Sequence, residues 1–196
     1  ADGHVPRETK QIIPIYKLLA MNKEYILNHL RNIPDFPKKG IQYKDINYLF
    51  TDGGVLREFS TALYELYKSR GITKVVGRET RGIVLASILA EKLGAGLVMC
   101  RKPGKMPGQV RQQSYAKEYG IDTIELQVGS ITHEDTVLIH DDLLATGGSL
   151  LAAYKLVSSF EPEKIMINVA FELTSEGLHG RDILPKDTEL ISMLTI

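Results

Sequence analysis

Two adjacent aspartates, Asp141 and Asp142, follow an apolar run and lead into Ala145-Thr146-Gly147-Gly148-Ser149. The whole segment, VLIHDDLLATGGS over Val137–Ser149, specifies chemistry more directly than any other part of the chain. Neighbouring carboxylates at a strand end are costly unless something binds them, and the vicinal hydroxyls of a ribose are suitable donors. Thr146 and Ser149 offer hydroxyls, while Gly147 and Gly148 let the backbone wrap closely around an anion. A helix starting there adds free N–H groups and the positive end of its dipole, so a phosphate is the natural guest. Acids for a sugar diol beside amides for a phosphate describe a ribose 5-phosphate site. The plainer reading is that the acids merely cap the turn and helix; the Ala-Thr-Gly-Gly that accompanies them favours the ligand.

Other nucleotide signatures are missing. A triphosphate loop needs Gly-x4-Gly-Lys-Ser/Thr, and no lysine follows Gly148. Gly94-x-Gly96 ends a helix and enters a strand, the reverse of the context a dinucleotide fingerprint requires. The five histidines show no metal-ligand spacing, and His140 reads as a packed strand residue without a catalytic role. The single cysteine, Cys100, excludes an internal disulfide; within GLVMC it reads as a buried structural thiol.

The elements that must hold these residues follow from periodicity. Residues 8–31 carry a partly helical pattern interrupted near Pro14, and Pro34, Pro37 and Gly40 mark a loop-like segment. Leu56, Phe59, Leu63, Leu66 and Tyr67 share one face of a helix over 54–70, stopped by Gly71. Strands then alternate with helices: strand 73–76, helix 83–93 ending at Gly94, strand 97–100, strand 124–128, strand 136–140, helix 149–160, and strands 165–171 and 190–194. Residues 102–120, polar and rich in Gly, Pro and Gln, read as one long exposed loop, mobile or functional. The fold class is therefore α/β: a doubly wound, mainly parallel sheet with flanking helices, whose ligands sit at the carboxyl ends of the strands.

The chain resembles the type I phosphoribosyltransferases, and DDLLATGGS resembles their adenine-specific branch in particular. The resemblance runs from about Pro34 to Arg181, through FPKKGIQYKDI, VVGRETRGI, RKPGKMPG, SYAKEYG and the Val137–Ser149 segment. It implies two regions: an N-terminal helical segment and base-binding hood over residues 1–50, and a core over 51–196 that binds phosphoribosyl diphosphate (PRPP) and carries the mobile loop 102–120. The implied reaction is Mg²⁺-dependent transfer of ribose 5-phosphate from PRPP to N9 of adenine, giving AMP and pyrophosphate in purine salvage.

The resemblance also implies residue roles. Asp141 and Asp142 would hold the ribose hydroxyls, and Ala145, Thr146, Gly147, Gly148 and Ser149 the 5-phosphate. The turn Gly77–Gly82 would bind pyrophosphate through Glu79, Thr80 and Arg81, with a cis Glu79–Thr80 bond, and Arg101, Lys102 and Lys105 would add counter-charge. Glu118 would take the base proton, with Tyr119 beside it. Tyr43 would stack on one adenine face and Leu143 on the other; the Gln42 backbone would read the amino edge, with Lys44 near the other side. Family members usually carry Phe and Arg where this chain has Tyr43 and Lys44. Mg²⁺ would be held mainly by PRPP, pyrophosphate and water, so no protein metal ligand is assigned. A homodimer is the common assembly. Without the resemblance, Arg81 is a solvated turn residue, Arg101, Lys102 and Lys105 a solvated loop, Glu118 an exposed acid and Tyr43 core.

Composition excludes several classes. Lys+Arg and Asp+Glu are each 24, so no basic surface for nucleic acid or anionic lipid is expected. No apolar stretch approaches the ~20 residues that span a bilayer, and ADGHVPRETK does not read as a secretory signal, so a cytoplasmic enzyme is expected. The first ~10 residues read as disordered. Two other functions stay open: a phosphoribosyltransferase for a 6-oxopurine (hypoxanthine or xanthine), and a PRPP- or nucleotide-sensing regulator without chemistry. Leu143-Leu144 and the hood favour adenine; Glu118 and the absence of a basic domain speak against the regulator.

Overall fold

A computed structural model describes residues 21–117, 120–174 and 178–196. The residues read as disordered and most of the 8–31 helical pattern lie outside these, as do Glu118 and Tyr119. In chain order the elements are α1 (Lys23–His29), β1 (Arg31–Pro34), β2 (Gln42–Asp45), α2 (Ile46–Leu49), α3 (Gly53–Tyr67), β3 (Lys74–Arg78), α4 (Gly82–Leu93), β4 (Gly96–Cys100), β5 (Val110–Lys117), β6 (Gly120–Gln127), β7 (Thr136–Leu144), α5 (Gly148–Ser158), β8 (Lys164–Glu172), a 3₁₀ turn (Gly180–Ile183) and β9 (Glu189–Thr195).

Five strands form the central sheet in the order β4-β3-β7-β8-β9, all parallel, as the alternation predicts. Apolar clusters pack its two faces. Val55, Phe59 and Leu63 of α3 and Leu85 and Leu89 of α4 cover one; Leu150, Ala153 and Leu156 of α5, with Ile124 and Leu126 of β6, cover the other. Parallel pairing needs helical crossovers, which is why β7 and β8, covered on both faces, read as nearly unbroken apolar runs. Local chemistry sets the helix limits. Asp52 caps α3 by accepting from the Val55 N–H at 2.9 Å, and Gly94 in the left-handed region (φ 66°) ends α4. Among the described residues no helix is long and apolar enough to cross a membrane.

Three readings of the sequence differ from the structure. Residues 102–120 are not one loop: Val110–Lys117 pairs antiparallel with Gly120–Gln127 in a separate ribbon. Polar side chains such as Arg111, Gln113 and Ser114 stand exposed or half-exposed along it, so the apolar alternation that marks a half-buried strand is missing. The 34–40 loop is flanked by two short paired strands, β1 and β2, too brief and polar to register in the pattern. β7 continues past His140 to Leu144, so Asp141 and Asp142 belong to the strand, not the turn after it.

A polar patch crosses the core beneath that strand end. His140 is wholly buried, and its Nδ1 lies 3.0 Å from the Asn168 side-chain oxygen. The Asn168 amide nitrogen donates to the Ile191 carbonyl at 3.2 Å, so its oxygen is the acceptor and His140 donates from Nδ1. Burial pushes the imidazole pKa down to about 4. A folded pKa below the unfolded value of ~6.5 means the unfolded chain binds the extra proton, so stability is lost as pH falls from there towards 4. This group should remove about 2 kcal/mol between pH 7 and pH 5. Urea unfolding at the two pH values should show that loss shrinking in His140→Gln; an equal loss in both proteins would assign the acid sensitivity elsewhere.

Candidate functional site

The carboxyl ends of β3 and β7 lie side by side, with Gly77 paired to His140. That register brings Arg78, the last residue of β3, beside Asp141. Its Nε donates to the Asp141 carboxylate in a buried ion pair, while Asp141 Oδ1 accepts the Asp142 N–H at 2.9 Å. Burial pushes the Asp141 carboxyl up, the Arg78 charge pulls it back, and Asp142 adds a further upward push. For Arg78, burial favours the neutral form, but Asp141 more than offsets it and the guanidinium stays charged. Burial wins on balance, so the Asp141 carboxyl sits well above the usual carboxylate range, and the guanidinium in direct contact only limits the rise.

Asp142 pairs in turn with Nε of Arg81, and Arg81 Nη1 donates to the Tyr43 hydroxyl at 2.8 Å. One guanidinium thus joins the acid of β7 to the β1–β2 hood. The Tyr43 ring meets Phe36 edge-on, centroids 5.0 Å apart. Gln42 uses its side-chain oxygen to accept from Asn32 at 2.6 Å across the same ribbon.

The ends of β3, β4 and β7, with the β5–β6 ribbon, border a cleft of about 530 Å³, of a size to enclose a small ligand. Glu79, Thr80, Arg81, Arg101, Lys102, Asp142, Thr146, Gly148 and Ser149, all singled out in the sequence, line it. A recess of about 150 Å³ beside it is lined by Leu143, Ala145, Thr146, Gly147 and Ser149 among others. Asp141, Gln42, Tyr43, Lys44 and Lys105, also singled out in the sequence, line neither, although the Lys105 carbonyl accepts from Arg101 Nη1 at 3.2 Å. The Glu79–Thr80 peptide is cis, as the resemblance implies. The Lys102 N–H, then the Arg101 guanidinium at 3.2 Å, hold the Glu79 carboxylate below the usual range. Burial pushes the Cys100 thiol up to about 12, which suits an inert wall residue.

Two helices begin at the cleft, α4 after Arg81 and α5 after Gly147, and neither has a side-chain cap. α1 and α3, which begin elsewhere, are capped by Asn22 and Asp52. The α5 start, with Gly148 and Ser149 on the cleft wall, presents backbone donors and a positive dipole end there, as an anion site requires. At α4 the Ile83 and Val84 N–H groups already donate to the Thr80 and Arg81 carbonyls, at 3.3 and 3.1 Å. Among the described residues no three His, Cys, Asp or Glu side chains converge in a cage for a metal.

Arg78, Tyr115 and Asp122 line the cleft too, although the sequence reading gives none of them a role. Tyr115 and Asp122 face each other across the β5–β6 ribbon, the hydroxyl donating to the carboxylate at 3.2 Å. Reading 110–117 as loop hid that pairing. Arg78 could have been found by aligning the ends of adjacent parallel strands, which sets it opposite an acid.

A five-stranded parallel sheet with an acid pair and an uncapped phosphate-type turn at its carboxyl edge defines the phosphoribosyltransferase class, and residues 49–194 match the family described as the phosphoribosyl transferase domain. The adenine phosphoribosyltransferase of Phocaeicola vulgatus is 49% identical over 176 residues, 90% of this chain and 100% of that protein. The solved adenine phosphoribosyltransferase of Rhodothermus marinus superposes with a TM-score of 0.81 at 41% identity, covering 93% of this chain and 100% of its own. That of Giardia lamblia, complexed with 9-deazaadenine, gives 0.81 and 41%, covering 87% and 96%. The chain belongs to this family, in its adenine phosphoribosyltransferase branch.

The two acids should respond differently to neutralisation. Asp141→Asn leaves the buried Arg78 charge without its partner and should lower unfolding stability by roughly 3–5 kcal/mol. Asp142→Asn frees the more open Arg81, which keeps the Tyr43 hydroxyl, and should cost less than Asp141→Asn. Chemical denaturation of both variants tests the division; equal losses would contradict it.

Proposed function

We propose that the chain transfers ribose 5-phosphate from PRPP to N9 of adenine, releasing AMP and pyrophosphate in purine salvage. The observation that carries this reading is the uncapped α5 start on the wall of a cleft that also holds Asp142, Arg81, Arg101 and Lys102. The α5 start and Thr146–Ser149 suit the 5-phosphate, Asp142 above the Arg78–Asp141 pair suits the ribose hydroxyls, and the Glu79–Arg81 turn with Arg101 and Lys102 suits the diphosphate. Tyr43 and Leu143 would bracket the base; that the Giardia relative is complexed with 9-deazaadenine favours adenine as this chain's base.

In the reaction the C1′–oxygen bond to pyrophosphate breaks and the N9–C1′ bond forms through an oxocarbenium-like ribose. Arg81, Arg101 and Lys102 would stabilise the charge gathering on pyrophosphate, and the Glu118 carboxylate would accept the N9 proton. Asp142 on the cleft wall suits Mg²⁺ held by the diphosphate and water, where its carboxylate would accept hydrogen bonds from that water. When bound, the ion would neutralise diphosphate charge. We further propose a cytoplasmic homodimer. Leu97 and Met99 lie exposed on the edge strand β4, an apolar strip that a second copy would cover.

Radiolabelled adenine with PRPP and Mg²⁺ should yield AMP, whereas hypoxanthine and guanine should not react; preference for a 6-oxopurine would overturn the reading. Glu118→Gln should slow the chemical step by ~10²–10⁴ in a rapid-quench single turnover while leaving PRPP binding nearly intact. A wild-type chemical step in that variant would remove Glu118 from the mechanism and leave the reaction standing.

A further inference from the structure

We infer that Arg181 is a positioning residue for the phosphate loop: it clamps the Gly180–Ile183 turn to the sheet, and that turn sets the shape of Ala145–Gly148. The inference rests on reading this loop as the 5-phosphate cradle.

The contact between turn and loop is backbone on backbone. Gly147 takes φ +84°, and a Cβ placed on it would strike the Gly180 carbonyl oxygen and come within 2.9 Å of its Cα. A Cβ on Gly180 would strike the Ala145 carbonyl oxygen and approach the Gly147 nitrogen to 2.9 Å. Apart from the Leu144 Cδ1 that also borders Gly180, the contact is made by backbone atoms that cannot yield, so a displacement of Gly180 passes to the loop. Gly180 is itself buried.

The next residue holds the turn in place. Arg181 donates Nε to Glu172 Oε1 at 3.0 Å and Nη2 to Glu172 Oε2 at 2.6 Å, a two-pronged grip on the last residue of β8. It also donates Nη2 to the Ser192 hydroxyl at 2.9 Å and Nη1 to the Leu190 carbonyl at 3.1 Å, both on β9. The Ser192 hydroxyl donates to Glu172 in turn, closing the network. Arg181 lines neither the cleft nor the recess beside it, so its effect on a ligand must pass through Gly180. Two strands of the central sheet therefore serve as the fixed reference for the loop. A planar guanidinium meets this set of acceptors, whereas a lysine ammonium cannot present the same fork.

The test is steady-state kinetics with the full chain. Arg181→Ala should raise the KM for PRPP roughly tenfold, because a misplaced loop loses contacts far out of proportion to its shift, while kcat and the adenine KM stay within about twofold. Arg181→Lys should fall between, and the AMP dissociation constant should follow the PRPP KM. If Arg181→Ala fails to fold, Ser192→Ala removes one contact and should move the PRPP KM in the same direction by less. A lowered melting temperature with unchanged PRPP KM, or equal losses for both substrates, would make the clamp structural only and overturn the inference. Thr146→Ala and Ser149→Ala, measured alongside, separate the two levels. If they leave the PRPP KM unchanged, the loop reading falls and takes the inference with it. If they raise it and Arg181→Ala does not, the inference alone falls.

Discussion

A carboxylate buried at the end of a strand is tolerable only with a charged partner, and the structure around the cleft follows from giving Asp141 one. Arg78 fills that need because parallel pairing of β3 and β7 aligns their carboxyl ends. With Asp141 neutralised below, Asp142 can stand at the cleft wall without a second uncompensated charge beneath it. An antiparallel neighbour would have presented its opposite end there, so the pair depends on sheet topology as much as on residue type.

Arg81 extends the same logic outward. It begins α4, pairs with Asp142 and reaches the Tyr43 hydroxyl, so three chain segments far apart in sequence meet at one guanidinium. Any ligand group that claims Asp142 competes with Arg81 and alters its grip on the hood. The tyrosine hydroxyl, which a phenylalanine would lack, is what gives the hood a polar tie to the diphosphate turn. Its cost is the competition between Arg81's protein contacts and its use for a phosphate.

Much of this was legible in the residues, for identifiable reasons. The central strands carry apolar runs because both faces are covered, and Gly94 stops its helix in the one conformation glycine favours. Val137–Ser149 announces its chemistry because acids, hydroxyls and glycines are consecutive. What escaped was tertiary or weakly patterned. Arg78 has no sequence neighbour to give it meaning; its partner is 63 residues away. Tyr115 and Asp122 were hidden in a ribbon of polar side chains, where alternation of hydrophobicity fails as a signal. Gly180 and Arg181 act through a backbone contact that no motif encodes.

The two uncapped helix starts belong to adjacent strands of one sheet. Neighbouring strands lie ~4.8 Å apart, a spacing fixed by backbone hydrogen bonds and indifferent to side chains. Both helix starts therefore lie on the same carboxyl edge of the sheet, carried by strands whose order is set by backbone pairing, and surface substitutions can alter the charge around them but not the sheet that carries them.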